Sequence, residues 1–62
     1  MTPTQFKKAR HTLGLSVTQL AAILDTEPRS VRRWEDGSRH PNPVASRVLQ
    51  WLLDGFRPPE WP

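Results

Sequence analysis

Prolines set the boundaries that any fold of this chain must respect. Seven of the 62 residues are proline, and a proline interrupts a helix unless it stands in the first turn, where its missing N–H would have no helical partner. Pro3, Pro28 and Pro43 each stand where a segment with helical periodicity begins. The others lie outside those segments, at Pro41, Pro58, Pro59 and Pro62. This distribution predicts short helices with defined starts and argues against disorder.

Two segments in the N-terminal half begin with the sequence of a capping box. Thr2 is followed three residues later by Gln5, and Ser16 is followed by Gln19. Gly14, between the segments, suits the left-handed conformation that ends a helix. Apolar residues then recur at helical spacing, at Phe6, Ala9 and Leu13 and again at Val17, Leu20, Ala21 and Leu24. We predict a helix over residues 2–13 and a second, of about two turns, after Ser16.

Two further helices are predicted, one from Glu27-Pro28 to Gly37 and one from Asn42 to Asp54. The third helix has a thin apolar face of Val31 and Trp34, which at this spacing favours a core position for Trp34 over base stacking. Its opposite face is polar, with Arg29, Arg32, Arg33 and Asp36. Apolar residues of the fourth helix cover an arc of about 200°, wider than the ~100° of an ordinary surface helix.

The fold class that follows is all-α, a compact bundle of four short helices, because no segment alternates as a strand would. The second and third helices are joined by only Asp25-Thr26, so they must cross steeply as a helix-turn-helix unit does. Asp25 is expected to adopt the left-handed conformation of this turn. We divide the chain into a helix-turn-helix domain, residues 1–55, and a tail rich in proline and aromatic residues, residues 56–62.

Composition favours an anionic partner and argues against several other classes of protein. Nine Lys and Arg against six Asp and Glu leave a net charge of +3, which suits nucleic acid. The chain has no cysteine, and His11 and His40 lack ligand neighbours, so we expect neither a disulfide nor a metal site. No catalytic constellation, leader or membrane-length apolar run is present. We therefore expect a cytoplasmic protein that is not an enzyme, without cofactor, small-molecule ligand or membrane partner.

Several fragments, in order and spacing, resemble the phage-repressor and Cro-like (Xre) helix-turn-helix domains over about residues 4–53. They are Leu13-Gly14-Leu15-Ser16, Leu20-Ala21, Val31 and Arg33-Trp34-Glu35-Asp36-Gly37. The resemblance implies that the third helix enters the major groove of DNA. Base-reading positions would be Pro28, Arg29 and Arg33, and arginine suits guanine O6 and N7. Phosphate positions would be Ser16, the Val17 backbone, Ser30, Arg32, Ser38, Arg39 and His40.

The chain departs from the family pattern at four places. Asp25 replaces the usual turn glycine, Glu27 replaces the usual Ser or Thr cap, and Val17 replaces a glutamine that often contacts phosphate. The family's fifth helix is missing, which bears on how two copies would associate. For Arg32 the alternative to phosphate is a pair with Asp36 one turn later.

Arg10 lies on the apolar face of the first helix and needs an anion. Glu35 is the natural candidate, and the family pairs these two positions in a partly buried salt bridge. The alternative is that Arg10 extends along the surface to water.

The aromatic residues of the C-terminal part leave two arrangements open. Trp51, Phe56 and Trp61 either contact a second copy across a two-fold axis, which is the arrangement we favour, or the tail folds back and covers the apolar arc within one chain. The function predicted is a sequence-specific DNA-binding transcriptional regulator, phage or bacterial, that represses by occupying an operator as a homodimer, which would form fully only on DNA. The alternative is a protein-interaction module, such as an antitoxin or accessory subunit, that uses the exposed aromatic surface.

Overall fold

Four α-helices and no strand form the fold in a computed structural model that describes all 62 residues. They are α1 (Pro3–Thr12), α2 (Val17–Ile23), α3 (Pro28–Asp36) and α4 (Pro43–Leu53). The all-α class predicted from the sequence is confirmed. None of these helices has the length and apolar character needed to cross a membrane.

The helix starts follow directly from local sequence. In both capping boxes the hydroxyl oxygen of the cap accepts from the third backbone N–H, at 3.1 Å for Thr2 and 3.0 Å for Ser16. The Gln5 and Gln19 side chains accept from the cap N–H in return, each at 2.9 Å. A cap of this kind stabilises a helix by about 0.5–2 kcal/mol.

The turn between α2 and α3 takes only the few residues between Ile23 and Pro28. Asp25 has φ 53° and is the only non-glycine residue in the left-handed region, as expected for an aspartate at this position. The N–H of Thr26 donates to the Ala21 carbonyl at 2.9 Å, which closes the end of α2. Ala21 is 1% exposed, so its small side chain lets the two helices approach closely.

A single apolar core holds the helices together. Trp34 of α3 packs against this core from one side, and its ring meets Phe6 edge to face with centroids 5.8 Å apart. The fully or nearly fully buried apolar residues are Phe6, Ala9, Leu15, Leu20, Ala21, Val31, Ala45, Leu49 and Leu52. Each large member contributes about 1.5–3 kcal/mol of transfer free energy, and together they fix the orientation of α3.

The tail folds back onto its own chain. The Trp61 ring packs against the core, and the Arg57 guanidinium lies 4.1 Å from its centroid. Arg57 Nη1 also donates to the carbonyls of Leu52 and Phe56, each at 2.8 Å. Trp61 is therefore used within the chain, contrary to its expected place in a contact with a second copy.

Candidate nucleic-acid interface

The exposed face of α3 carries three arginines that have no carboxylate partner. Arg29, Arg32 and Arg33 are all exposed, whereas Val31 between them is fully buried. The only salt bridge of the molecule joins Arg10 and Glu35. Three guanidinium groups on one helix are thus available to a ligand of opposite charge.

The ion pair expected between Arg10 and Glu35 is present and lies mostly out of water. Arg10 Nε donates to Glu35 Oε2 at 2.7 Å and Nη2 donates to Oε1 at 3.0 Å, the bidentate geometry of a strong pair. The side chains are only 11% and 7% exposed. Arg10 Nη1 also donates to the Leu15 carbonyl at 2.9 Å. The pair therefore ties α1 to α3 and to the loop that begins α2, which orients the arginine face.

The C-terminal end of α3 is closed by backbone bonds that fix the following loop. Gly37 takes the left-handed conformation with φ 86°, which costs glycine little. The Arg39 N–H donates to the Arg33 carbonyl at 3.2 Å. The loop held by this bond contains three of the predicted phosphate contacts, and all three are exposed: Ser38, Arg39 and His40.

Asp36 bonds to Ser38 and not to Arg32, so the pair considered for Arg32 is not formed. The Ser38 N–H donates to Asp36 Oδ1 at 2.8 Å. Hydrogen bonds from the hydroxyl and the N–H of Ser38, with a smaller attraction from Arg33, lower the pKa of Asp36 below its ordinary value of 3.8. Arg32 consequently stays free on the surface.

The other residues predicted to contact DNA differ in how exposed they are. Ser16 is exposed, and while its hydroxyl oxygen accepts the Gln19 N–H, its O–H can still donate to a phosphate oxygen. Val17 is half-buried and packs against the core, so only its backbone suits a phosphate. Pro28 and Ser30 are also half-buried.

Lys7 is a cation that the sequence predicts to be solvated, with long-range attraction for DNA as the alternative. It lines a shallow polar groove of about 300 Å³ together with Arg10, Val17, Arg32, Glu35 and Asp36. Lys7 is exposed and stands one helical turn before Arg10. Residues three apart on a helix lie on the same face, and Arg10 was expected to pair with Glu35 of α3. The spacing of Lys7 and Arg10 could therefore have placed Lys7 beside α3.

Comparisons of the chain with protein-family models, with curated proteins and with solved structures gave no match. The molecule also contains no group of three or more His, Cys, Asp or Glu residues that could hold a metal ion. The resemblance to Xre domains stays a prediction, and the functional assignment depends on the geometry of the chain itself.

Proposed function

We propose that this protein is a sequence-specific DNA-binding transcriptional regulator, a repressor that inserts α3 into the major groove of its operator. The observation that carries the proposal is the set of exposed, unpaired arginines on the second of two short helices joined by a tight turn. A helix presented in this way is the element that reads the major groove in helix-turn-helix proteins.

The positions of the three arginines support different tasks. Arg29 and Arg33 lie one turn apart on α3, suited to the edges of neighbouring bases, and Pro28 offers only van der Waals contact. Arg32 lies at the margin of the row beside Lys7 across the polar groove, which suits phosphate oxygens. Arg39 extends the cationic surface past the end of α3, and His40 adds an exposed polar ring beside it.

The free protein keeps charges on α3 that are unfavourable without a ligand. Arg29 and Arg33 are like charges at i and i+4, which costs a few tenths of a kcal/mol in a helix. Arg29 also stands in the first turn, at the positive end of the helix dipole. A polyanion relieves both effects, so these residues are better explained by binding than by folding.

One small module reads only a few base pairs, too few to distinguish an operator among ~10⁶ or more competing sites. We therefore propose that the protein binds double-stranded DNA as a homodimer on two half-sites one helical turn apart. The dimer of the free protein would be weak and would form fully on DNA.

The test begins with selection of bound sites from a random duplex library, followed by salt titrations of binding measured by fluorescence anisotropy. Arg29→Ala and Arg33→Ala should each weaken the best site by about 1–3 kcal/mol and relax preference at one base pair. Arg39→Ala should weaken all sequences alike and reduce the salt slope by about one. Lys8→Ala, which removes the same charge from an exposed position on α1, is the matched control.

Two results would contradict this assignment. Retention of full base preference by both Arg29→Ala and Arg33→Ala would show that α3 does not read bases. An affinity for random duplex DNA that is negligible at all salt concentrations would remove DNA as the ligand.

A second candidate function is supported by the half-exposed rings of Trp51 and Phe56, at 50% and 51% exposure. Under this alternative the chain is an antitoxin or accessory subunit that binds another protein through these rings. The salt titration separates the two, because only binding to a polyanion depends steeply on salt.

A further inference from the structure

One face of α4 stays apolar and uncovered in the folded chain. Val44 is 70% exposed, Trp51 50% and Phe56 51%. Val48, half-buried, lies between Val44 and Trp51 at helical spacing, and Phe56 meets Trp51 edge to face at 6.4 Å. We call these four residues the α4 stripe. The buried residues of α4, Ala45, Leu49 and Leu52, lie on the neighbouring face, about 100° around the helix from the stripe.

The tail does not cover the α4 stripe, although it folds back. Its aromatic ring, Trp61, packs against the core and is held there by Arg57. Phe56, the other aromatic residue of the tail, packs against Trp51 from the side and lengthens the stripe. The tail is therefore packed against the chain, and Val44, Trp51 and Phe56 are still exposed to water.

Two opposite charges accompany the stripe along one flank. Arg47 and Asp54 are seven residues apart, so they lie on nearly the same side of α4 and about 10.5 Å apart along its axis. That separation is too long for them to pair within one chain. Both are exposed and neither forms a salt bridge. Asp54 accepts only from the Gln50 amide, at 3.2 Å.

We propose that the α4 stripe binds the α4 stripe of a second copy, with the two helices antiparallel about a two-fold axis between Gln50 and Trp51. This arrangement places Arg47 opposite Asp54 of the partner subunit, and the symmetry forms that pair twice. The same operation brings Val44 near Phe56 of the partner subunit. Parallel helices about a two-fold axis would instead place the two charged flanks on opposite sides of the contact, which leaves Arg47 and Asp54 unpaired.

The proposal rests on the homodimer of the proposed function, names its contact surface, and is tested on the protein alone. Sedimentation equilibrium from about 10 μM to 1 mM covers the range expected for a small interface. The wild-type protein should form a dimer in this range, and Trp51→Ala should be monomeric throughout. Circular dichroism checks that each variant stays folded, as expected for substitutions at exposed positions.

Charge reversal tests the antiparallel register. Arg47→Asp and Asp54→Arg should each weaken the dimer by about tenfold, because each puts like charges together twice. The double variant exchanges the charges and should return the dissociation constant to within about threefold of the wild-type value. Lys8→Glu, a reversal on α1 away from the stripe, should leave it unchanged.

Three outcomes would overturn the proposal. A wild-type protein that is monomeric up to 1 mM would assign the stripe to another partner. A dimer unaffected by Trp51→Ala would place the contact elsewhere. Single reversals that weaken the dimer without rescue by the double variant would exclude the antiparallel register. These results bear on the homodimer of the proposed function and leave base reading by α3 untouched, which Arg29→Ala and Arg33→Ala test separately.

Discussion

Removal of Glu35 tests how far the ion pair between α1 and α3 stabilises the fold. Glu35→Ala leaves the Arg10 guanidinium without its anion in a site where the two side chains are only 11% and 7% exposed. Breaking a fully buried pair costs about 3–5 kcal/mol. The small residual exposure and the surviving bond to Leu15 lower our expectation to about 2–4 kcal/mol.

That loss is large for a chain of this length. A domain of 62 residues is stable by about 3–9 kcal/mol, so at the middle of both ranges Glu35→Ala would remove about half of the total. At about 4–8 °C per kcal/mol for a domain this small, the midpoint of thermal unfolding should fall by about 8–32 °C. Urea unfolding measures the free energy and a temperature scan measures the midpoint, each followed by tryptophan fluorescence and circular dichroism.

A double-mutant cycle separates loss of the pair from the burial of an unpaired charge. The cycle compares Arg10→Met, Glu35→Leu and the variant with both substitutions. The variant with both should recover much of the loss of either single variant, because an apolar pair needs no desolvation of ions. Glu60→Ala, the same substitution at an exposed tail position, is the control for loss of a carboxylate. Losses for the two single variants that are additive and below about 0.5 kcal/mol, the scatter expected of independent sites, would refute this reasoning.

Three further predictions follow from local geometry. Ser16→Ala removes one half of the capping box and should destabilise the domain by about 0.5–2 kcal/mol in urea unfolding, whereas Ser46→Ala within α4 should cost less. Asp25→Val places a β-branched residue at φ 53° and should cost about 1–3 kcal/mol, while Asp25→Gly should be neutral or stabilising. Because the pKa of Asp36 is lowered, its contribution is present above the ordinary value and is lost as pH falls through the folded value; an acid titration should move the Ser38 amide resonance in the wild type and leave it still in Asp36→Asn.

Most of the fold could be predicted because the starts and ends of its helices depend on residues that are close together in the sequence. A Thr or Ser cap needs only a glutamine three residues later, and a left-handed aspartate needs only its own side chain, so no distant residue decides either feature. The core followed from the same locality, since helical spacing alone put Phe6 and Leu20 on buried faces. These features depend on short stretches of chain and were therefore visible in the sequence.

The remaining side-chain contacts could not be predicted, because each side chain had several possible partners and the spacing along the sequence does not choose among them. Arg32 and Asp36 are four residues apart, which suits an ion pair on a helix. The turn after α3 instead brings the Ser38 N–H to the Asp36 carboxylate, which accepts its hydrogen bond. Trp61 looked as available as Trp51, and only the path of the tail brings it onto the core. Lys7 joins the polar groove through the packing of α1 against α3, which no local pattern specifies.

The dimensions of the molecule are consistent with both proposals acting together. Its principal extents are 29 × 20 × 19 Å, so two copies joined through α4 would have centres about 20–29 Å apart, one molecular width. Successive major-groove faces of DNA are about 34–36 Å apart. Half of the difference between the distance separating the copies and the distance separating the groove faces is about 3–8 Å. Each α3 must lie this far outside the centre of its own copy for both helices to contact DNA. The radius of gyration is 10.2 Å, and the arginine face of α3 is at the surface. A two-fold contact through α4 and half-sites one turn apart therefore require each α3 to lie on the side of its copy away from the contact.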